Sequence, residues 1–175
     1  MAAAGVGVSH LIAPDLRMGW GLAPLRGFLD AGVTVGFGTT GSASNDGANV
    51  LGDLRLAALA HRSKAPRSPE QWPSARELVT LATRGSAACL GRDDLGAIAP
   101  GHRADLAAWD LTAVDRVGVH DPVAGLLLTG LSSAASLVLV DGEVLVENGH
   151  PAHLDPAAVA ARARQALAKA AASGV

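Results

Sequence analysis

Two short apolar runs separated by a single helical stretch constrain the fold of this chain more than any other feature of its sequence. Residues 6–10 and 33–37 both suit buried strands, and residues 22–31 between them suit a helix that Gly32 would end. Strands joined through one helix of this length pair in parallel with a right-handed crossover, as in α/β barrels and doubly wound sheets. The sequence therefore predicts an α/β fold.

A loop of small residues and further helices continue this order. The loop covers residues 38–47, and apolar periodicity places the next helix over residues 49–61. Ser74 and Glu77 then have the spacing of a capping box, which predicts a helix that runs to the region of Arg84. The order is thus β-α-β-α, followed by one more helix.

The region from Leu95 to Val146 has a different pattern. Short apolar runs predict strands, and Asp141-Gly142 between two of them predicts a β-hairpin. An Ala-rich helix is predicted after Pro156, with its basic residues toward the C-terminal half, where they suit the helix dipole. The three apolar runs are residues 105–109, 136–140 and 143–146.

These elements are hard to close into an independent fold. Two parallel strands alone do not make a stable sheet, because three or more strands are normally needed. A (β/α)8 barrel typically takes about 250 residues, whereas this chain has 175. We therefore expect residues 6–61 to be the last quarter of such a barrel, and we expect the first part of the barrel to precede Met1.

Composition and charge argue against several classes of function. A net charge of −2, with 14 scattered Lys and Arg residues, gives no electrostatic footprint for nucleic acid. The apolar runs are far shorter than the roughly 20 residues that a membrane span needs, and the N-terminus does not resemble a secretory signal. We expect a cytoplasmic protein with neither nucleic acid nor membrane as a partner. The single cysteine, Cys89, is expected to be buried in a helix and structural.

The small and polar residues 38–46 carry the most specific motif, Gly-Thr-Thr-Gly-Ser-Ala-Ser-Asn-Asp. This string resembles the G-x-D-G-x-A-S-N-D signature at strand eight of deaminases in the amidohydrolase superfamily. Residues 95–106 are similar to the L-G-x-I-x-P-G-x-x-A-D-L segment that leads from the barrel into the small β-sandwich of that family. His120-Asp121-Pro122 and residues 140–144 extend the likeness, which is nearest to the 8-oxoguanine deaminases.

The resemblance implies a division of the chain into parts of a longer architecture. It predicts the C-terminal portion of a (β/α)8 barrel with following helices over residues 1–92. Part of a small β-sandwich is expected over residues 93–150, and a C-terminal helix over residues 151–175.

The resemblance also implies a metal-dependent hydrolase that deaminates a small, purine-like ring by C–N bond hydrolysis. Family members bind one zinc or iron ion through a His-x-His, a further His and the strand-eight Asp. Bound water then has a pKa of about 7, and a carboxylate carries its proton to the leaving ammonia.

Residue 40 departs from this ligand set. The chain contains no His-x-His, and Thr40 replaces the strand-eight Asp. A neutral hydroxyl is a poor zinc ligand and cannot serve as a general base near neutral pH. The resemblance therefore predicts a substituted catalytic position at Thr40, no intact metal site and no zinc or iron bound by this chain alone.

Three residues of the predicted strand-seven region are candidate substrate contacts. The family shows H-x-P-x-S-N there, followed by a hydrophobic and a basic residue, and this chain keeps His10 and Arg17 with Asp15 in place of Asn. His10 is predicted at the C-terminal mouth of the barrel, where sites of this fold are built. A role for His10 in packing alone is the alternative.

Other interpretations of the polar residues compete with a deaminase. Residues 36–41 have the form G-x-G-x-x-G, but the following helix begins too late to place its N-terminus on a pyrophosphate. His150 and His153 are expected to be loop residues rather than a metal pair. We expect His61 to cap its helix, His102 to lie in a turn, and Asp46 and Asp105 to be structural. The rival from another functional class is an inert fragment or pseudoenzyme that associates with another chain, for example as a homo-oligomer.

Overall fold

The computed structural model describes residues 1–64, 68–112, 114, 118–129 and 134–173. The chain forms two compact units. The first comprises residues 1–103 with the described residues of 111–133, and the second comprises residues 104–110 with the described residues of 134–175. The predicted division at residues 92 and 150 concerns the parts of a longer relative and stays a prediction.

The two predicted strands pair in parallel, as expected for strands joined by a helical crossover. Strand β1 (Val8–His10) and strand β2 (Val35–Phe37) run side by side, with Val8 opposite Val35 and His10 opposite Phe37. Both strands begin two residues later than predicted. The parallel pairing itself is confirmed, and with it the α/β class.

Two helices connect these strands where one was predicted. Helix α1 (Ile12–Arg17) was not anticipated, because Pro14 argues against a helix; it lies in the first turn, where proline is tolerated. The predicted helix is present as α2 (Leu25–Asp30), and Gly32 beyond its end has a φ of 69°. This left-handed conformation ends the helix, as glycine after a helix end often does.

Helix α3 (Val50–Ala60) follows β2 after the loop of small residues. Asn49 caps it by accepting a hydrogen bond from the Gly52 amide at 3.1 Å. The helix buries Leu54, Ala57 and Ala58 in the core. The predicted element over residues 49–61 is thus confirmed to within one residue at each end.

A continuous helical rod packs against β2. It consists of α4 (Ala75–Thr80), a π-helical turn (Leu81–Gly85) and α5 (Ser86–Cys89). Ser74 caps α4 as predicted, since its side chain accepts from the Glu77 amide at 3.1 Å. The rod extends five residues beyond the predicted end.

Glycines allow the rod to approach β2 closely. A Cβ atom at Gly85 would lie 2.0 Å from the Val35 carbonyl oxygen, and one at Gly36 would lie 2.7 Å from Ser86 Cα. At this contact the Ser86 hydroxyl accepts a hydrogen bond from the Phe37 amide at 3.0 Å. The end of β2 is therefore fixed against the rod by a side chain.

Helix α6 (Pro122–Leu128) completes the first unit and was not predicted. Its Asp121 side chain accepts from the Val123 and Ala124 amides, so residues 121 and 122 are the N-cap and first turn of a helix. Its described buried residues form a hydrophobic core of Ile12, Leu25, Val35, Leu54, Ala57, Ala58, Leu78 and Leu127.

The second unit contains an antiparallel sheet and the last helix. Strands β3 (Leu106–Ala108), β4 (Leu137–Val140), β5 (Glu143–Glu147) and β6 (His150–Pro151) lie in sequence order. Asp141 and Gly142 both have positive φ, 51° and 85°, and join β4 to β5, which confirms the predicted hairpin. Helix α7 (Pro156–Ala172) follows, capped by Asp155.

The prediction for Cys89 was wrong in one respect. Cys89 is helical, as the last residue of α5, but it is exposed rather than buried. Its Sγ lies 3.6 Å from the Val8 carbonyl oxygen. Among the described residues, no helix is long and apolar enough to cross a membrane.

Candidate active site

The segment between β2 and α3 carries the predicted catalytic position; we call residues 38–49 the Thr40 loop. Thr40 has a φ of 57°, in the left-handed region. A β-branched residue rarely adopts this conformation, which costs on the order of 1–3 kcal/mol and persists where its surroundings enforce it. Strained backbone of this kind clusters at functional sites.

The Thr40 hydroxyl is used within its own loop. It donates to the Thr39 carbonyl oxygen at 2.6 Å, and its oxygen lies 2.8 Å from the Ser44 hydroxyl. Because the single Thr40 proton is directed to Thr39, Ser44 is the donor to Thr40. Thr40 is exposed, so its oxygen is accessible at the end of β2.

A buried polar pair fixes the far part of the loop. Asn45 Nδ2 donates to Asp53 Oδ2 at 2.9 Å, and the two residues are only 8% and 6% exposed. Burial raises the pKa of the Asp53 carboxyl, while the hydrogen bond from Asn45 lowers it. This contact joins the Thr40 loop to the first turn of α3.

An exposed ion pair joins the same loop to α1. Arg17 Nη1 contacts Asp46 Oδ2, and both side chains are largely exposed. Asp46 therefore has a structural contact, though with a side chain rather than the turn backbone expected for it. Asp15, on the same helix as Arg17, has its pKa raised by burial. The structure thus brings Arg17 to the Thr40 loop.

His10 lies at the end of β1 and faces His61. The two Nε2 atoms are 3.0 Å apart, and the His10 ring contacts Phe37 edge to face at a centroid distance of 5.1 Å. His10 is 2% exposed, and its buried Nδ1 has no hydrogen-bond partner among the described residues. His61 ends α3 as its C-cap residue, as predicted, but its imidazole contacts His10.

Both imidazoles are held neutral. Burial first, and the neighbouring His61 second, lower the pKa of His10 from 6.5 to about 4. Burial and the Arg26 guanidinium lower the pKa of His61. In a neutral pair, one Nε2 donates to the other. Because orphaned buried N–H groups are rare, we assign the donor to His10, whose Nδ1 is then an unprotonated acceptor.

A cavity of about 320 Å³ opens beside His61. Its polar lining includes Arg26, Lys64 and Gln71. Arg26 is held by Glu77 through two hydrogen bonds of 3.0 and 2.9 Å, so its guanidinium is already paired with a carboxylate. Glu77 thus completes no capping box, since its carboxylate pairs with Arg26 while its amide is capped by Ser74.

The described residues do not fit a complete zinc or iron site. Among them, no group of three His, Cys, Asp or Glu side chains is placed to hold a metal ion. Thr40 offers a neutral hydroxyl, and the Nε2 atoms of His10 and His61 are occupied with each other. His150 and His153 are exposed residues of the second unit, and His153 lies 3.5 Å from Glu143.

A model of the amidohydrolase family matches residues 1–171. The chain belongs to the amidohydrolase family.

Curated relatives of this amidohydrolase chain act on different rings. It is 39% identical over 166 residues to 8-oxoguanine deaminase of Pseudomonas aeruginosa, covering 93% of the chain and 35% of the relative. It is 38% identical over 156 residues to hydroxydechloroatrazine ethylaminohydrolase of Pseudomonas sp. strain ADP, covering 89% of the chain and 32% of the relative. The chain therefore spans about a third of the length of these relatives.

Solved structures of the amidohydrolase family share the fold. The atrazine chlorohydrolase of Arthrobacter aurescens TC1, solved with zinc, is 67% identical with a TM-score of 0.89, over 92% of this chain and 36% of that one. An adenosine deaminase of Xanthomonas campestris with bound zinc is 29% identical with a TM-score of 0.87, over 94% and 37%. The resemblance to the amidohydrolase family is thus confirmed, and a metal belongs to that family. The likeness to the 8-oxoguanine deaminases in particular stays a prediction.

The sequence identified some site residues and missed others. Thr40 and Arg17 lie in or against the Thr40 loop, whereas His10 is directed to His61, and the roles predicted for Thr40, His10, Asp15 and Arg17 stay predictions. Asp53 and His61 were missed. A carboxylate on the apolar face of a predicted helix was the available signal for Asp53, whereas a contact across 51 residues left none for His61.

Proposed function

We propose that this chain is part of a hydrolase that replaces a leaving group on an electron-poor nitrogen heterocycle by water. It would supply the region around strands seven and eight of the barrel and part of the β-sandwich. We further propose that a chlorinated triazine is a better substrate than an aminopurine. The observation that carries the proposal is Thr40, a neutral residue at the family's carboxylate position, in a chain 67% identical to an atrazine chlorohydrolase.

The leaving group decides whether a carboxylate is needed at residue 40. An amine departs as ammonia only when a proton reaches its nitrogen, and a positioned carboxylate is the usual carrier. Chloride departs with the bonding electron pair as a stable anion and needs no proton. In that reaction water forms the new C–O bond, the C–Cl bond breaks, and one proton is released to solvent. The Thr40 hydroxyl cannot carry a proton at neutral pH, so it suits chloride.

The loop after α1 offers an apolar face for a flat ring. Trp20 is 73% exposed and Met18 is 50% exposed, on the segment that follows Arg17. Aromatic and thioether side chains provide large contact areas for planar ligands. With only 3% aromatic residues in the chain, an exposed tryptophan beside a residue that contacts the Thr40 loop supports recognition of a ring.

Deamination of a purine-type ring, as in 8-oxoguanine deaminase, is the second candidate. The motif of residues 38–46 and the identity of 39% to that enzyme favour it. The first candidate is preferred because the identity to the triazine hydrolase is 67% over a similar share of the chain. Neither kind of relative supports the rival interpretation as an inert family member.

A hybrid enzyme distinguishes the two candidates. This chain replaces the matching segment of the Arthrobacter aurescens enzyme, which supplies the rest of the family's length. We expect chloride release from atrazine and at least about tenfold less ammonia release from 8-oxoguanine, because proton transfer to nitrogen typically contributes about 10²–10⁴-fold. Ammonia release without chloride release would favour the deaminase.

Substitution of Thr40 tests the role of the position. Thr40→Asp in the hybrid should raise deamination of 8-oxoguanine, by up to about 10²–10⁴-fold, since it adds the missing proton carrier. Thr39→Asp places the same charge one residue away and should not. Equal ammonia release from the Thr40→Asp and parent hybrids at matched metal content would show that residue 40 does not face the reacting atoms.

A further inference from the structure

We infer that Asp53, a buried carboxylate on α3, is a positioning residue that holds the Thr40 loop in its reactive conformation through Asn45. The inference rests on the proposed function, which places Thr40 at the reacting atoms. Asp53 itself does not touch Thr40 and acts through the contacts between them.

Burial makes the Asn45–Asp53 contact more than a surface hydrogen bond. Asp53 is 6% exposed and its amide partner Asn45 is 8% exposed. Taking a carboxylate out of water is costly unless it is paired and hydrogen-bonded, yet no ion pair of Asp53 exists within the described part of the chain. Replacement of buried ionic groups by well-packed apolar side chains is often neutral or stabilising, so stability alone is a weak reason for a carboxylate at this position.

A short series of contacts leads from Asp53 to Thr40. Asp53 Oδ2 accepts from Asn45 Nδ2, and the Asn45 amide donates to the Gly41 carbonyl oxygen at 3.1 Å. The Ser44 amide donates to the same oxygen at 3.2 Å, and the Ser44 hydroxyl donates to Thr40. The turn from Gly41 to Asn45 therefore couples the position of Asp53 to the position of Thr40.

The loop needs such an anchor because its backbone is strained. Thr40 has a φ of 57° and Ala48 has a φ of 40°, and neither residue is glycine. The loop also contacts neighbouring elements where the Gly38 amide donates to the His10 carbonyl oxygen at 3.2 Å and where Arg17 meets Asp46. The second contact is an exposed ion pair, a kind that contributes about 0–1 kcal/mol. Asn45–Asp53 is thus the buried side-chain anchor of the strained segment.

Loss of this anchor should reduce turnover more than substrate binding. A displacement of about 1 Å at a reacting group can cost about 10²-fold in rate. Ring contacts outside the loop, such as Trp20, would be unaffected. We therefore expect Asp53→Leu to lower kcat at least about tenfold with KM changed less than about threefold.

Four variants of the hybrid test the inference at a temperature where all are folded. Asp53→Leu removes the acceptor, whereas Asp53→Asn keeps an oxygen that accepts from Asn45. The exchange Asn45→Asp with Asp53→Asn reverses the pair and should restore kcat to within about threefold of the parent, since amide and carboxylate again meet. Asp93→Asn changes an exposed carboxylate as the matched control. The kcat of each variant is compared with that of the parent hybrid, measured with the substrate from which the parent releases chloride or ammonia.

Amide hydrogen exchange of the 175-residue chain supplies a readout besides activity. Exchange at Ser44 and Asn45 should accelerate at least about tenfold in Asp53→Leu and stay unchanged in Asp93→Asn, because their hydrogen bonds to Gly41 depend on the anchor. A lower melting temperature with unchanged kcat would mean a merely structural role and would overturn the inference. So would a loss of kcat without faster exchange. If the parent hybrid releases neither product, the proposed function fails, and unchanged exchange in Asp53→Leu would still refute the anchor.

Discussion

The two units differ in what they bury. Among the described residues, the fully enclosed apolar side chains, such as Ile12, Leu54 and Leu127, belong to the first unit, together with the buried polar residues His10, Asn45 and Asp53. None of the described residues of the second unit is buried, although it has four strands and a helix of 17 residues. The second unit therefore has regular backbone hydrogen bonding without a buried core, and hydrogen bonding alone is not expected to give it a high free energy of unfolding. We expect the site and the stability to reside in the first unit.

Truncation of a leucine side chain should show the largest difference in stability effect between the two units. Leu54→Ala removes a side chain that is 2% exposed and should lower the free energy of unfolding by about 3 kcal/mol, within the 2–5 kcal/mol usual for such changes. Leu139→Ala in β4 affects a partly exposed side chain and should cost less than about 1 kcal/mol. Urea denaturation followed by circular dichroism measures both, and equal costs would contradict the comparison.

Acid should destabilise the first unit through His10. Its pKa is about 4 in the folded chain and 6.5 in the unfolded chain, so the unfolded chain binds the proton more readily. The stability due to neutral His10 is complete above pH 6.5 and is lost as the pH falls toward 4, with an upper limit of about 3 kcal/mol. His61, whose pKa is also lowered, acts in the same direction.

Denaturation of His10→Gln at several pH values checks this expectation. The free energy of unfolding of the variant should depend less on pH, between pH 6.5 and 4, than that of the parent chain. The matched change His153→Gln, in an exposed residue of the second unit, is the control for the substitution itself. A parent curve that is flat across this interval would show that His10 is not held neutral.

Much of the fold follows from local signals, and the missed parts have physical reasons. The β-α-β unit and the hairpin were predictable because helical spacing and Asp141-Gly142 act over a few residues. Helix α6 was not predicted although Asp121 and Pro122 form a helix start, since the same two residues also belong to a motif that resembles the family. The position of Thr40 came from the resemblance. The contacts of Asp53 and His61 depend on tertiary packing, which periodicity does not encode.

Replacement of one glycine in each unit compares the cost of a steric clash with the cost of an unfavourable backbone conformation. Gly85→Ala would place a Cβ atom 2.0 Å from the Val35 carbonyl oxygen, so the rod must move away from β2. We expect a loss of about 2 kcal/mol, as for other overpacked sites, despite the better helix propensity of alanine. Gly142→Ala meets no atom within 4 Å and suffers only from its φ of 85°, at a cost of about 1 kcal/mol. Thermal melting of both variants gives the ratio, and a stabilised Gly85→Ala would refute the close contact.

Helix caps provide the smallest and most closely matched comparison. Ser74 accepts from the Glu77 amide at 3.1 Å, and Asp155 accepts from the Ala157 amide at 2.8 Å. A cap of this kind contributes about 1 kcal/mol to its helix. The helix that Ser74 begins contains the fully buried Leu78. Loss of the Ser74 cap should therefore destabilise the whole core. Helix α7 buries no residue, and helices without packing are marginal in water.

Ser74→Ala should therefore lower the global free energy of unfolding by about 1 kcal/mol, whereas Asp155→Ala should leave the global transition unchanged. The second substitution should instead reduce the helical circular dichroism signal of the folded chain, because local fraying of α7 is not coupled to the core. Hydrogen exchange at the amides of α7 locates the effect, which should be confined to that helix. A global loss for Asp155→Ala equal to that for Ser74→Ala would mean that α7 unfolds together with the first unit.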